Sequence, residues 1–451
     1  KAFVNSRYNQ VGVNGAESMQ SSIVDETELT WLRGCETHNF ARVSPTDLGR
    51  MNGAWWGWDN RSWSTKWTNI SNCNIFFERV DNVGFTDEKE KTKLVGQVRF
   101  IRAFGSIHRG KIDGRIISAF KAQVAIMAAS PAYASAGTFT YEDAAKLAAD
   151  CLKKFGGLTA CDPDGWKWFN NKSVIDKLGA TTDNPKEIIW RGAIDENNSL
   201  EGDNYPPSLY GKGRINTTQN LVDAFPMANG YPISDANSEY NANDPFANRD
   251  PRLKAYILVN GDKMGSTDGV VNSAADSKTT DGLNKENGKS TKTGYYLRKL
   301  LRSDINLNPN STTKQKHLNA RIRSTEILLD YAEAANEAQG PKANVGGANY
   351  SAYDVIKAIR ERAGIGEFGE DPYLEECAQS KEKMRELIRN ERRLELCFEN
   401  HRFWDLRRWK ANLNEAAKGI NITTDEATGA FVYKTFDAEV RKYDDYMNYG
   451  P

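Results

Sequence analysis

The sequence predicts a mainly α-helical fold in which pairs of helices form a scaffold beside an irregular, loop-rich lobe. Three observations predict it. Residues 67–155 and 320–410 read as successive amphipathic or Ala-rich helices. Residues 156–319 are punctuated by Gly, Pro, Asn, Asp and Ser, as in DNYPPSLYGKGR and STDGVVNSAADSKTTDGLNKENGKS. Two helical stretches also repeat one pattern. AIMAASPAYASAGTFTYEDAAKLAADCLKK from Ala125 and EILLDYAEAANEAQGPKANVGGANYSAYDVIKAIRERA from Glu326 each hold an Ala-rich helix, a Gly-containing connector, an aromatic residue and a second helix. This order fits the antiparallel helix pair of tetratricopeptide-like repeats and also an ordinary αα-hairpin.

Residues 1–66 are polar and rich in Gly and Asn before turning strongly aromatic. Helices are then expected at WTNISNCNIFFERV, KTKLVGQVRFIRAF, RIISAFKAQVAIMAAS and YEDAAKLAADCLKKF. In the lobe, AYILV and GYYLRKLL are short β-like pieces between loops. Helices return at Ala320 and run to about Lys410.

The last of these helices poses a chemical question. Read from Met384 at about 100° per residue, Met384, Leu387, Ile388, Leu394 and Phe398 form a core-facing stripe. Glu391 and Glu395 fall in the middle of it. An unpaired buried carboxylate costs several kcal/mol, so these two either meet buried cations or act as a catalytic pair. Arginines favour the first reading. Arg392, Arg402, Arg407 and Arg408 lie close in sequence, and Arg99, Arg102, Arg321, Arg323, Arg360 and Arg362 lie on other expected helices. A planar guanidinium suits bidentate pairing, so the glutamates are expected to be ion-pair struts between helices.

Bulk properties exclude several classes. With 451 residues, 60 basic against 60 acidic and 39% hydrophobic, the chain can bury a large core but lacks the basic excess of a nucleic-acid binder. No stretch approaches the ~18 consecutive apolar residues of a membrane span. The most apolar helical run, AFKAQVAIMAAS, is short and carries Lys121 and Gln123. No secretory signal opens the sequence, although Lys1 need not be a natural start. Cys35, Cys73, Cys151, Cys161, Cys377 and Cys397 are scattered without C-x-x-C and are expected to be buried free thiols. The four histidines are far apart and H-E-x-x-H is absent, so zinc is not expected, and no metal ligand or cofactor is assigned.

The stretch ELIRNERRLELCFENHRFWDLRRW resembles the C-terminal hallmark of the SusD/RagB family of outer-membrane lipoproteins. Other pieces follow the family's order. They are VDETELTW from Val24, WTNISNCNIFFERV, VRFIRAF from Val98, IMAASPAY, LVDAFPMANGYPI, FANRDPRLKAYI, GYYLRKLL and RSTEILLDYAEAANE. The resemblance extends from about Asp25 to Trp409. Two departures stand out. No cysteine for a lipid anchor precedes Cys35, and VRFIRAF runs into GSIHRGKIDGR without the family's Tyr-Gly-Gly-x-Pro loop.

The resemblance implies one SusD-like domain over residues 1–451. Its tetratricopeptide-like scaffold would comprise about 67–155 and 320–410, and its ligand lobe about 1–66 and 156–319. It also implies a cell-surface, outer-membrane lipoprotein that captures oligosaccharide or polysaccharide. The anchor would lie outside this sequence. The sugar would pass unaltered to a SusC-like TonB-dependent transporter, with no part for nucleic acid. A RagB-like peptide binder and a glycoside hydrolase are the alternatives.

The aromatic distribution supports a sugar ligand. Trp55, Trp56, Trp58, Trp63 and Trp67 crowd into WWGWDNRSWSTKW beside Asp59, Asn60 and Arg61. An indole face suits the apolar face of a sugar ring, while polar neighbours suit its hydroxyls. Trp63 and Trp67, one turn apart ahead of a helix, read as core, which leaves Trp55, Trp56, Trp58, Asp59 and Arg61 as candidate ligand contacts. Trp166 and Trp168 in CDPDGWKWFNN form a second candidate cluster, sharing one face if the segment is extended. Asn204, Tyr205 and Tyr210 form a third.

Catalytic signals are poor. There is no G-x-G-x-x-G or P-loop pattern, and SKEK at Ser380 matches S-x-x-K without its companion motifs. Asp47 and Asp59 would make a glycosidase pair only if they converged across a cleft. No catalytic residue is assigned.

Overall fold

Small residues and well-capped ends build the helical scaffold of the computed structural model, which describes residues 25–29, 73, 76–82, 85, 87–104, 113–179, 182–366 and 370–443. Helix α1 spans Glu88–Phe104. Helix α2, Gly114–Ala129, opens on Asp113, whose carboxylate accepts the N–H groups of Arg115 and Ile116, and closes at Ser130 ahead of Pro131. Helix α3, Tyr141–Leu152, starts with a reciprocal capping box between Thr140 and Asp143.

Ala119, Ala122 and Ala125 on α2 and Ala144, Ala145 and Ala148 on α3 are all buried. Their short side chains let the helices approach closely. Six residues within the lobe form helix α4, Gln219–Ala224, and another six form helix α5, Pro251–Tyr256. The second scaffold pair is α6, Ser324–Gln339, and α7, Ala352–Ala363, with another capping box between Ser351 and Asp354. Every residue of α6 from Ser324 to Asn336 is buried, because α2, α3, α7 and the later helix α9 all pack against it. In the connector between α6 and α7, Gly346 has φ 65° and lies against α3. A Cβ there would come within 2.4 Å of the Lys146 backbone.

Helix α8 covers Pro372–Cys377, α9 covers Lys381–Glu395 and α10 covers Arg402–Arg408. The Ser380 side chain accepts the N–H groups of Glu382 and Lys383, so the S-x-x-K match is a helix cap. The hallmark segment is not one helix to Phe398. It breaks after Glu395, and Phe398 takes a left-handed φ of 62° while remaining buried. No helix among the described residues is long and apolar enough to cross a membrane.

All strands among the described residues lie in two-stranded sheets. Strand β1, Thr27–Leu29, pairs antiparallel with β3, Ile215–Thr217. Strand β2, Ile188–Arg191, pairs with β4, Ala320–Arg323. The chain is therefore extended at Ala320, where the sequence suggested a helix, and turns helical only at Ser324. The two β-like lobe pieces pair with each other, Ile257 with Leu297 and Leu258 with Tyr296. They lie in a second hydrophobic cluster with Trp166, Tyr205, Tyr256 and Tyr295.

Beyond the last expected helix comes an unforeseen hairpin of β5, Ala417–Thr424, and β6, Phe431–Glu439. Among the described cysteines all are free thiols; Cys161 is half-buried and the others are buried.

Candidate functional site

Glu391 and Glu395 are completely buried, and both face arginines. Glu391 Oε1 meets Arg360 of α7 at 2.8 Å and its Oε2 meets Arg252 of α5 at 2.9 Å. Glu395 Oε1 meets Arg362 at 2.7 Å and Arg323 of β4 at 3.4 Å, while its Oε2 faces Arg252 at 3.3 Å. The cations have further partners. Asp250 holds Arg252 at 2.7 Å, Glu187 holds Arg323 at 2.6 Å, and Lys299 and Arg323 both hold Glu399 at 2.8 Å.

Gly230 completes this network by accepting from Arg360 through its carbonyl at 2.9 Å. Its φ is 96°, and a Cβ there would lie 2.6 Å from the Asp371 carboxylate. Burial disfavours the charge of Glu395, yet Arg362, Arg323 and Arg252 hold its carboxyl below the usual range. Against the same burial, Arg323 and Lys299 hold Glu399 at about 2. The glutamates are struts between α5, α7, α9 and β4.

The partners differ in part from those the sequence suggested. Arg323, Arg360 and Arg362 take part, but Arg323 acts from a strand. Arg392 bridges Asp330 and Asp405, Arg402 binds Asp25, and Arg408 binds Glu333. Arg321 lies over the Trp190 ring at 5.4 Å. Arg407 packs over Phe403 at 3.6 Å. The side chains of Arg99 and Arg102 lie outside the described residues. Arg252 was missed. Pro251 and Asp250 beside it were the available signal, a helix start that places its guanidinium next to a capping carboxylate.

Other buried acids are shifted upward, among them Glu26, Glu326, Asp330 and Asp281. Burial and then the charge of Asp25 push Glu26 up to about 8. Burial likewise raises Glu326, beside Asp330. Glu26 is 1% and Glu326 3% exposed, so neither presents a face to a substrate.

Of the sequence-predicted contacts, Trp55, Trp56, Trp58, Asp59 and Arg61 lie outside the described residues, as do Asp47, Trp63 and Trp67. Trp166 and Trp168 are not on an extended strand but on a 3-10 turn, Gly165–Asn170, and both are buried. The Trp166 ring packs edge-on to Tyr256 at 6.4 Å, under the Lys167 ammonium at 3.9 Å. Asn204 is fully buried and its amide donates to the Leu200 carbonyl at 2.9 Å. Tyr205 is buried, with its hydroxyl donating to the Arg302 carbonyl.

Tyr210 is the exception, at 58% exposed. Its φ of 65° belongs to a loop pinned by Ser208, whose N–H and hydroxyl both reach Asp281, at 2.8 and 2.5 Å. The loop therefore holds an aromatic ring out in solvent.

The hairpin carries another exposed ring. Strand β5 buries Ile420 and Ile422 against the lobe. The Ile420 N–H donates to Thr293 at 2.8 Å and the Ala275 N–H donates to Ile422 at 2.8 Å, which leaves β6 outermost. A series of edge-on rings then runs from core to surface. Buried Tyr295 meets Phe246 at 6.1 Å, Phe246 meets Tyr433 at 5.8 Å, and Tyr433 meets Phe431 at 6.5 Å. Phe431 is 46% exposed.

Phe431 and Tyr433 form one wall of a cleft of about 520 Å³ whose lining also includes Asn243, Asp244, Asp425 and Thr428. That volume lies within the roughly 300–1,000 Å³ of small-molecule sites. The turn at its end is fixed by Asp425, whose Oδ1 accepts the N–H groups of Ala427 at 3.1 Å and Thr428 at 2.8 Å. An exposed ring beside carboxylates, an amide and a hydroxyl can hold a molecule that is apolar on one face and rich in hydroxyls around it. A possible signal in the sequence was FVYKTF following the turn DEATGA, strand-forming aromatics behind a Gly.

Comparison with known proteins agrees with the fold. The SusD family model matches residues 186–450, more than half of the chain. No curated protein matches it by sequence. A solved SusD-like protein of Bacteroides fragilis is 21% identical, with a TM-score of 0.70 over 99% of this chain and 92% of the other. A SusD-like carbohydrate binding protein of the same species is 18% identical, with a TM-score of 0.61 over 99% and 95% of the two chains. Surface glycan-binding protein A of Bacteroides fluxus is 16% identical, with a TM-score of 0.53 over 99% and 93%.

Proposed function

The chain belongs to the SusD family, and we propose that it captures oligosaccharide at the cell surface and hands it to a SusC-like, TonB-dependent transporter. The names of solved relatives support the ligand class, being a carbohydrate binding protein and a surface glycan-binding protein. The observation that carries the reading is the hairpin cleft, where half-exposed Phe431 stands beside Asn243, Asp244, Asp425 and Thr428. A pyranose stacked on that ring loses apolar contact with water, and its hydroxyls exchange water for fixed acceptors. Affinity then comes mainly from the ring, and selectivity from the polar groups.

Trp55, Trp56, Trp58, Asp59 and Arg61, with exposed Tyr210, are proposed as further contacts. Trp166, Trp168, Asn204 and Tyr205 would support the lobe from beneath. Binding alone is the activity; no bond of the sugar is made or broken. A lipid anchor on an upstream cysteine would hold the protein on the outer membrane.

The test is affinity electrophoresis of the pure protein through gels holding a panel of polysaccharides. Retardation by at least one of them, reduced in Phe431→Ala or Trp56→Ala, is the expected outcome. If no gel retards the protein while peptides bind it, the glycan reading fails. Release of reducing ends by the pure protein would instead establish a hydrolase. For the handover, the native protein should leave outer membranes in complex with a large barrel. Its recovery only from the cytoplasm would contradict that.

A further inference from the structure

We propose that the hairpin cleft takes an uncharged, hydroxyl-rich glycan chain and refuses chains bearing uronate or sulfate, an inference that rests on the glycan-binding reading above. Its ionisable walls are of one sign. Asp244 and Asp425 line it, and no Lys, Arg or His is among its described lining residues. Asp425 stays ionised because the Thr428 hydroxyl and N–H, with the Ala427 N–H, hold its carboxyl below the usual range.

The same hydrogen bonds decide which polar atoms remain for a ligand. The Thr428 hydroxyl spends its proton on Asp425 Oδ1 at 2.8 Å, and its oxygen also accepts the Ala430 N–H at 3.3 Å. The turn therefore faces the cleft with acceptors, namely Asp425 Oδ2 and the remaining lone pair of Thr428. Tyr433 adds a proton that it keeps, since burial and then the charge of Asp244 push its phenol up.

A neutral sugar answers this arrangement. Each hydroxyl has a proton to give a carboxylate, forming a charge-assisted hydrogen bond, and its ring offers an apolar face to Phe431. A uronate or sulfate has no proton to donate there. It also brings a second negative charge next to Asp244 and Asp425, with no cation in the wall to offset it. The shared negative sign therefore selects against acidic chains.

The experiment compares retention in gels of laminarin, glucomannan and dextran with gels of polygalacturonate, alginate and chondroitin sulfate. Wild type, Phe431→Ala, Tyr433→Ala and the double variant Asp244→Asn/Asp425→Asn are run side by side. Asparagine at 425 keeps the Oδ1 acceptor that closes the turn. The expected result is retention by a neutral polymer that falls about tenfold in Phe431→Ala, no retention of wild type by the anionic polymers, and new anionic retention in the double Asn variant.

Anionic retention of wild type that depends on Phe431 would overturn the charge class and leave the site standing. Continued exclusion of anionic chains by the double variant would also overturn it, because the carboxylates would not be the cause. Neutral retention untouched by both aromatic variants would remove the cleft as the site and leave glycan capture to the other proposed contacts, whereas no retention by any polymer would remove the reading this inference rests on.

Discussion

At the scale of single residues, Glu391 and Glu395 keep their charges away from water because each faces more than one guanidinium. Removing one partner of such a set is costly, since the other charge stays buried. Glu391→Ala should therefore lose roughly 3–5 kcal/mol of stability in urea unfolding. The exposed acid Glu386 on the same helix should lose less than about 0.5 kcal/mol on substitution by Ala. Equal midpoints for the two variants would rule out the strut role. The inward aim of both glutamates could be read from helical periodicity, because 100° per residue is local geometry. Arg252 could not, because its guanidinium arrives from a six-residue helix in the lobe. Long side chains make tertiary contacts that no local pattern encodes.

At the scale of elements, boundaries follow the chemistry of their ends. Thr140 and Asp143 close the start of α3 as a capping box, so Thr140→Ala should cost about 1 kcal/mol in thermal or urea unfolding. An unchanged transition would mean that the box contributes nothing. The helix pairs were legible for the same reason, since Ala-rich faces, caps and Gly connectors are local signals. The pairing of AYILV with GYYLRKLL was not, since strand partners across the lobe are chosen by packing.

The cleft-bearing hairpin pairs locally, so its turn and strands carried a local signal that was missed, whereas its docking through Ile420 to Thr293 and Ala275 to Ile422 is non-local and had none. Its turn is sensitive at Gly429, which has φ 73° with no neighbour near its missing Cβ. Gly429→Ala should therefore cost only the backbone strain, about 1–2 kcal/mol. It should also weaken glycan retention by displacing Asp425 and Phe431. Full retention together with that stability loss would show that the turn does not set the cleft.

At the scale of the whole molecule, the first described residues are tied to the last. Asp25 pairs with Arg393 at 2.6 Å and Arg402 at 2.8 Å, the Phe398 N–H donates to Glu26 Oε2 at 3.3 Å, and Arg441 donates to the Thr27 carbonyl at 3.0 Å. This knot gives stability a pH dependence with opposing limbs. Asp405 and Glu399 are held at about 2 against burial, by Arg392 and Arg408 and by Arg323 and Lys299 respectively. Their contribution is complete above the ordinary carboxylate range and is lost as pH falls through about 2.

His401, pushed down to about 4 by burial and Arg392, also favours the fold more as pH rises, but only up to its unfolded value of about 6.5. Glu26 has the opposite sign. Burial and Asp25 raise it to about 8, so the folded state holds a proton that the unfolded state has lost. Its contribution is complete below about 4.5 and is lost as pH rises through 8. Buried Glu326, raised by burial and Asp330, acts in the same direction.

Between about pH 7 and 8 the unfolded His401 imidazole is mostly neutral and Asp330, raised to about 6 chiefly by burial, has mostly lost its proton, so the raised glutamates dominate. Each raised glutamate should lower stability there by up to about 1.4 kcal/mol per pH unit. The melting temperature should accordingly fall across this window. Glu26→Gln keeps an acceptor for the Phe398 N–H and cannot ionise, so its profile should be distinctly flatter than wild type. Parallel profiles for the two proteins would mean that Glu26 is already ionised in the fold, its charge answered by Arg402 and Arg393.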